Sequence, residues 1–205
     1  MVEIANNFTN MDWENLEKKL KADFSNTDLW NKAFSVLESR LCERYILPAE
    51  AIQNNSSVIG EGFSITTILC SLIEALETFY EGKCYKYEIP RNNTEYGNGN
   101  SKTLFVNFLT TKEPFKSSFN ADLAEDFFKN VRCALLHEAM TRNGWKIRID
   151  TDTLVKHTNE EKILNRFHFL QALKDYIKQY KAEVLGSKSR KNAFIRKMNC
   201  ICKNA

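Results

Sequence analysis

Apolar side chains recur at helical spacing along most of this chain. Trp13, Leu16, Leu20 and Phe24 predict a short amphipathic helix over 12–24, with Asp12 as its expected N-cap. Leu29, Trp30, Phe34, Leu37 and Leu41 predict a second helix, from an Asn26-Thr27-Asp28 cap to about Tyr45, with Pro48 helping to end it. Ile65, Ile68, Leu69, Leu72, Ile73, Leu76 and Phe79 give a third helix, about 64–80, a wide apolar face. That face makes it central.

The pattern then weakens. Residues 86–102, with Pro90, Gly97, Gly99 and many asparagines, read as a loop. Thr103 to Leu109 is short enough to be a strand or a buried turn, and 114–120 reads as a connection. Asn120 opens a long helix, about 121–142, ended by Gly144. Trp145-Lys146-Ile147-Arg148-Ile149 alternates as a strand does, and Leu154-Val155 is its candidate partner. Thr158 or Asn159 is the expected cap of another helix, running to about Leu185. Gly186 stops it, and a basic helix follows at about 188–202. The fold class is therefore mainly α, a helical bundle with a small β decoration after the helix at 121–142.

That helix carries Arg132 and His137 within an apolar run. A fixed cation near a group that exchanges a proton around neutral pH is suited to chemistry on a phosphodiester. At ~100° per residue, Ala124, Phe127, Phe128 and Leu135 fall within ~60° of Val131 and form one core-facing stripe. Cys133, Leu136 and Met140 form a second apolar patch on the opposite side, bordered by Arg132 and His137. A straight helix holds those two residues ~140° apart. They converge if the arginine reaches around, if the helix is broken, or if two copies share one site. Short Arg-x4-His strings also arise by chance. Arg132 as a snorkelling edge residue and His137 as a satisfied, partly buried one remain the bland alternative.

Composition adds limits. A chain of 205 residues fits one domain, or one domain with a terminal appendage, and 43% hydrophobic residues allow a sizeable core. The net charge of +3 hides an asymmetry: residues 181–205 carry +6, leaving −3 elsewhere. Lys188, Arg190, Lys191, Arg196 and Lys197 are thus candidate RNA contacts, or simply a solvated helix face. No N-terminal apolar run resembles a signal peptide, and no stretch approaches the ~18 apolar residues of a membrane span. A cytoplasmic protein without membrane attachment is expected, its six cysteines reduced. Cys42, Cys70 and Cys133 read as small core residues. Cys200-Ile201-Cys202 lacks a second pair, so no metal site is expected.

The string Val131-Arg132-Cys133-Ala134-Leu135-Leu136-His137-Glu138-Ala139, followed by Asn143-Gly144-Trp145, resembles the HEPN superfamily, whose signature is an arginine and a histidine four to six residues apart. Ser71-Leu72-Ile73-Glu74-Ala75-Leu76 is similar to the helix that packs against the motif in that family. The likeness is concentrated in 63–82 and 121–150. It suggests a single HEPN-like domain over 1–205; residues 1–60, read as an N-terminal helical extension, and 186–205, read as a basic C-terminal helix, carry no such likeness.

The resemblance also implies an activity. The protein would be a homodimeric, metal-independent endoribonuclease of bacterial defence or toxin–antitoxin systems, without cofactor. An antitoxin or other defence-system protein would be its partner. Arg132 would stabilise phosphate charge and His137 would handle a proton, leaving 2′,3′-cyclic phosphate and 5′-hydroxyl ends. Glu74, Glu138 and Cys133 would be supporting groups. Many active members carry a polar residue where Cys133 stands. Two other readings stay open: an inactive HEPN-like module that binds RNA, nucleotide or protein, and a helical scaffold docking another protein through its second apolar face.

Overall fold

The computed structural model describes residues 1–55, 58–85, 100–159 and 161–203. Among the described residues the chain is mainly helical with two small sheets, and it clusters into two compact units. Residues 1–44, 78–99 and 177–205 form the first unit; 45–77 and 100–176 form the second. Residues 1–44 cluster in the first unit and 45–60 in the motif-bearing unit.

The first unit opens with a short hairpin, β1 (Glu3–Ala5) and β2 (Phe8–Thr9), which the sequence pattern did not reveal. Helix α1 (Asn10–Ala22) starts on a capping box. Thr9 is the N-cap, and Asp12, expected in that place, is the N3 residue that bonds back to the Thr9 N–H at 2.9 Å. Asn26 caps α2 (Thr27–Leu41) as expected, accepting from the N–H groups of Asp28 and Leu29. The helix then widens into a π turn over Cys42–Ile46 and continues as α3 (Leu47–Asn55). Pro48 does not end the segment. It lies at the second position of α3, directly after the π turn, and the helix runs on past it.

Helices α4 (Glu61–Glu81), α8 (Arg166–Gly186) and α9 (Lys188–Lys203) lie close to the expected spans, except that α8 begins later than expected. By length and hydropathy α4 qualifies as a membrane span, contrary to expectation. Ile65, Leu69, Leu72, Ile73 and Leu76 are nevertheless fully buried within the protein, as in a core helix. In the first unit Phe194 of α9 is the centre of an aromatic cluster, 6.0–6.3 Å from the rings of Trp13, Trp30, Phe34 and Phe79. The polar handles of that cluster are satisfied. Trp13 Nε1 donates to Asn199 Oδ1 at 2.6 Å, and the Tyr180 hydroxyl donates to the Phe79 carbonyl at 3.0 Å.

Cys84 and Cys200 form a disulfide, with Cα atoms 5.6 Å apart, which corrects the expectation of six reduced thiols. Gly82 makes the approach possible. Its φ of +71° reverses the chain after α4, and a Cβ there would lie 2.7 Å from Ala193 Cα. The 116-residue separation left no local signal in the sequence. In the chain-entropy view such a closure is worth roughly 4–5 kcal/mol.

In the second unit α5 (Ser101–Thr111) replaces the expected strand or turn. Leu104, Phe105, Phe108 and Leu109 are all buried at helical spacing, and Asn100 supplies the cap through the Lys102 N–H. Phe127, on α6 (Ala121–Phe127), packs against Phe105, Phe119, Trp145 and Phe169 with centroids 5.0–6.1 Å apart. The sheet has three strands in the order β3 (Trp145–Arg148), β5 (Lys162–Asn165), β4 (Val155–His157). β5 runs parallel to β3 and antiparallel to β4.

The sequence pattern assigned 162–165 to a helix. Ile163 and Leu164 are instead buried in the central strand, and α8 begins only at Arg166. The cap is Asn165, not Thr158 or Asn159. Its Oδ1 accepts from Phe167 N at 2.9 Å and His168 N at 3.2 Å, while Nδ2 donates to Thr151 O at 2.6 Å.

Two outcomes follow. Asn165→Ala removes both the cap and the Thr151 bond at a buried site and is expected to cost about 2 kcal/mol in denaturant unfolding, with Asn165→Asp losing less. Thiol titration of the non-reduced, denatured protein is expected to find the four free cysteines, Cys42, Cys70, Cys133 and Cys202, and reduction to release two more.

Candidate functional site

The motif segment is not the straight helix that the pattern suggested. It runs as α6, a π turn over Phe128–Cys133, and α7 (Ala134–Glu138), ending at Ala139 with φ +53°. Asn120 caps it as expected, accepting from Leu123 N at 2.8 Å. Gly144 does not end it; Ala139 and Asn143, both at positive φ, turn the chain first. The ~100° count therefore does not hold across the π turn that contains Arg132.

Of the core stripe, Ala124, Phe127, Val131 and Leu135 are buried, and Phe128 is half-buried. The second patch is open to solvent, with Leu136 51% and Met140 48% exposed and Cys133 half-buried beside them. His137 is exposed at the end of α7.

Arg132 is held from one side. Its Nε and Nη2 donate to Glu74 Oε1 of α4 at 2.9 and 2.7 Å. Glu74 Oε2 accepts the Ser101 hydroxyl at 2.5 Å, and Arg132 Nη2 also reaches Ser101 Oγ at 3.4 Å. The guanidinium carbon lies 5.4 Å from the Phe128 ring centre. Nη1 has only a 4.0 Å contact with Cys133 Sγ among the described residues. The group is thus oriented by two polar partners and a ring, with one edge less engaged. At about one-fifth exposure for both side chains, the Glu74 pair is partly screened and cancels part of the local positive charge.

Glu74 therefore stands against the motif arginine, where the helix pairing suggested a supporting group. Ser101 was missed. It lies at the boundary of a segment read as loop, and only the Asn100 cap signalled a helix start there. Glu138 does not reach either motif residue; it pairs with Arg142 one turn on.

Behind the motif, Asp126 gathers four donors. Asn130 Nδ2 and Asn143 Nδ2 reach Oδ1 at 2.8 and 2.7 Å. Trp145 Nε1 and Lys162 Nζ reach Oδ2 at 2.7 and 2.9 Å. The Asn130 carbonyl accepts the Arg142 N–H at 2.8 Å. These bonds lock the π turn to the turn that follows and to β3 and β5. Partial burial works against the Asp126 charge, but Lys162, Trp145 and Asn143 outweigh it and hold the carboxyl below its usual range.

The five basic candidates lie in the first unit, and most are engaged there. Lys188 is exposed. Arg190 stacks 3.5 Å from the Tyr80 ring centre and donates to Tyr80 O at 2.5 Å. Lys191 reaches Phe24 O at 3.3 Å, and Arg196 reaches Glu81 O at 3.2 Å. Lys197 is buried. Arg190 and Arg196 thus satisfy carbonyls at the C-terminus of α4. No group of three or more His, Cys, Asp or Glu side chains is placed to hold a metal ion among the described residues.

Compared with protein-family models, curated proteins and solved structures, the chain matches none.

Asp126 gives a pH prediction. A depressed folded-state pKa supplies stability that is complete above the unfolded value of about 4 and is lost as pH falls through the lower folded value. Asp126→Asn is expected to lower the melting temperature at pH 7 and to flatten its fall below about pH 4. An unchanged acid limb in the variant would contradict that assignment.

Proposed function

We propose that the chain is a HEPN-like endoribonuclease that cleaves RNA at a composite Arg132/His137 site in a homodimer. The observation that carries this reading is the setting of the pair. Arg132 is oriented by Glu74 and Ser101 in a π turn, and an exposed His137 follows five residues later beside the open apolar patch of Leu136 and Met140. π turns are frequent at functional sites, because they re-aim side chains at a cost in helix stability.

In the proposed reaction the ribose 2′-oxygen attacks the adjacent phosphorus. The new 2′-O–P bond forms as the P–O5′ bond breaks, giving a 2′,3′-cyclic phosphate and a 5′-hydroxyl. One copy of His137 takes the 2′-hydroxyl proton, and the other copy gives a proton to the leaving 5′-oxygen. Arg132 stabilises the charge that builds on the non-bridging oxygens, with Glu74 and Ser101 fixing its orientation beforehand. Leu136 and Met140 supply the apolar seam that pairs two copies. The reading needs no metal at either proton transfer. A bacterial defence or toxin–antitoxin setting, with an antitoxin-like partner, belongs to the same proposal.

A second reading is favoured by one feature. Arg132 already spends Nε and Nη2 on Glu74, and a weakly polar thiol follows it. A module that binds RNA without cutting it fits such a restrained arginine.

Purified protein incubated with RNA in EDTA separates the two. Cleavage to cyclic-phosphate ends is expected, with a loss of at least 100-fold in His137→Ala and Arg132→Ala and of roughly tenfold in Glu74→Ala. DNA and 2′-deoxy-substituted RNA should resist cleavage. Absence of cleavage, or equal cleavage by His137→Ala, overturns the nuclease reading; salt-sensitive binding that survives His137→Ala supports the module.

A further inference from the structure

A second candidate site lies in the first unit, far from the motif in sequence. A cavity of about 390 Å³ is lined by Ile4 of β1, Arg40 of α2, Arg44 of the π turn, and Lys197 and Ile201 of α9, with Tyr85 at its edge. Arg40 and Arg44 are one turn apart and converge on a single acceptor. Arg40 Nη1 donates to Ile4 O at 2.5 Å, and Arg44 Nη2 donates to the same carbonyl at 3.3 Å.

Lys197 is the unusual member. It is 9% exposed, yet among the described residues its ammonium has no carboxylate partner and no hydrogen-bond acceptor. Its nearest cation-binding surface is the Phe79 ring, 5.8 Å away. Burial, joined by the Arg40 charge, pushes its pKa down to about 8. The Glu3 carboxylate also lines the cavity and accepts the Asn7 N–H at 3.2 Å. Burying a lysine beside an arginine without a neutralising group is costly. Functional sites are where such costs are retained.

We propose that this cavity binds a phosphate-bearing small molecule, with Lys197 as the central ligand and Arg40 and Arg44 as flanking cations. The donor set suits a phosphate: one compact ammonium and two planar guanidinium groups. The volume falls in the range of small-molecule sites. Ile4 and Ile201 offer an apolar wall, and Tyr85 offers a ring to the remainder of the ligand. The Cys84–Cys200 disulfide fixes that side, since Cys200 lines the cavity and Cys84 precedes Tyr85.

The test is isothermal titration of the full-length, non-reduced protein with inorganic phosphate, pyrophosphate and AMP. Saturable binding of pyrophosphate and AMP at one site per chain is expected, weakened at least tenfold by Lys197→Met and by Arg44→Glu. Arg132→Ala should bind as the unaltered protein does. Lys197→Met keeps the apolar stem over Phe79 and should melt no lower than the parent; exposed Arg44 provides the second variant should the buried position not fold. AMP no tighter than phosphate assigns recognition to the phosphoryl group alone, and tighter AMP adds the cavity wall. No saturable binding, equal binding by both cavity variants, or loss confined to Arg132→Ala overturns the proposal.

Discussion

The Asp126 carboxylate is the point from which the motif region takes its shape. A single side chain receives donors from the π turn, the turn after α7, β3 and β5. Local hydrogen bonding alone favours an unbroken α-helix over 121–142. The four donors to one carboxylate, together with the bond from Arg142 N to Asn130 O, offset the poorer geometry of the wider turn. The Phe127 ring packs on Trp145 on the apolar side of the same junction, so polar and hydrophobic terms hold one arrangement.

From that junction the motif side chains inherit opposite environments. Arg132 faces α4 and α5 and is restrained by Glu74 and Ser101, whereas His137 stands at an exposed helix end. A preoriented cation costs little reorganisation when a phosphate arrives, although Glu74 competes for it. The open Leu136–Met140 patch beside them has no counterpart within the chain's own core stripe. The proposed two-copy site rests on this division between a restrained arginine and an exposed histidine.

Much of this was legible in the residues. Most of the stripe residues of α1, α2 and α4 are buried, with Leu29 and Ile68 half-buried and Phe24 beyond the end of α1, and the Asn26 and Asn120 caps stand where the side-chain chemistry places them. The opposed faces of 124–140 were also visible, one buried and one exposed. What the spacing did not reveal has identifiable causes. The π turns at 42–46 and 128–133 carry no propensity signal of their own. β5 is a short apolar run, equally readable as the first turn of α8, and only its pairing with β3 decides it. Ser101 matters through Glu74, a residue 27 positions away, and no local rule connects the two.

The disulfide between Cys84 and Cys200 has a topological consequence. The chain from α5 through most of α9 lies inside a covalently closed ring, while β1 to α4 hang from it as a tail. A backbone break anywhere within the ring leaves one covalent molecule with two new ends. The same break in the tail releases a fragment. Integrity of the motif-bearing segments under proteolysis is thus tied to the oxidation state of two sulfurs that neither belong to the motif nor lie in its unit.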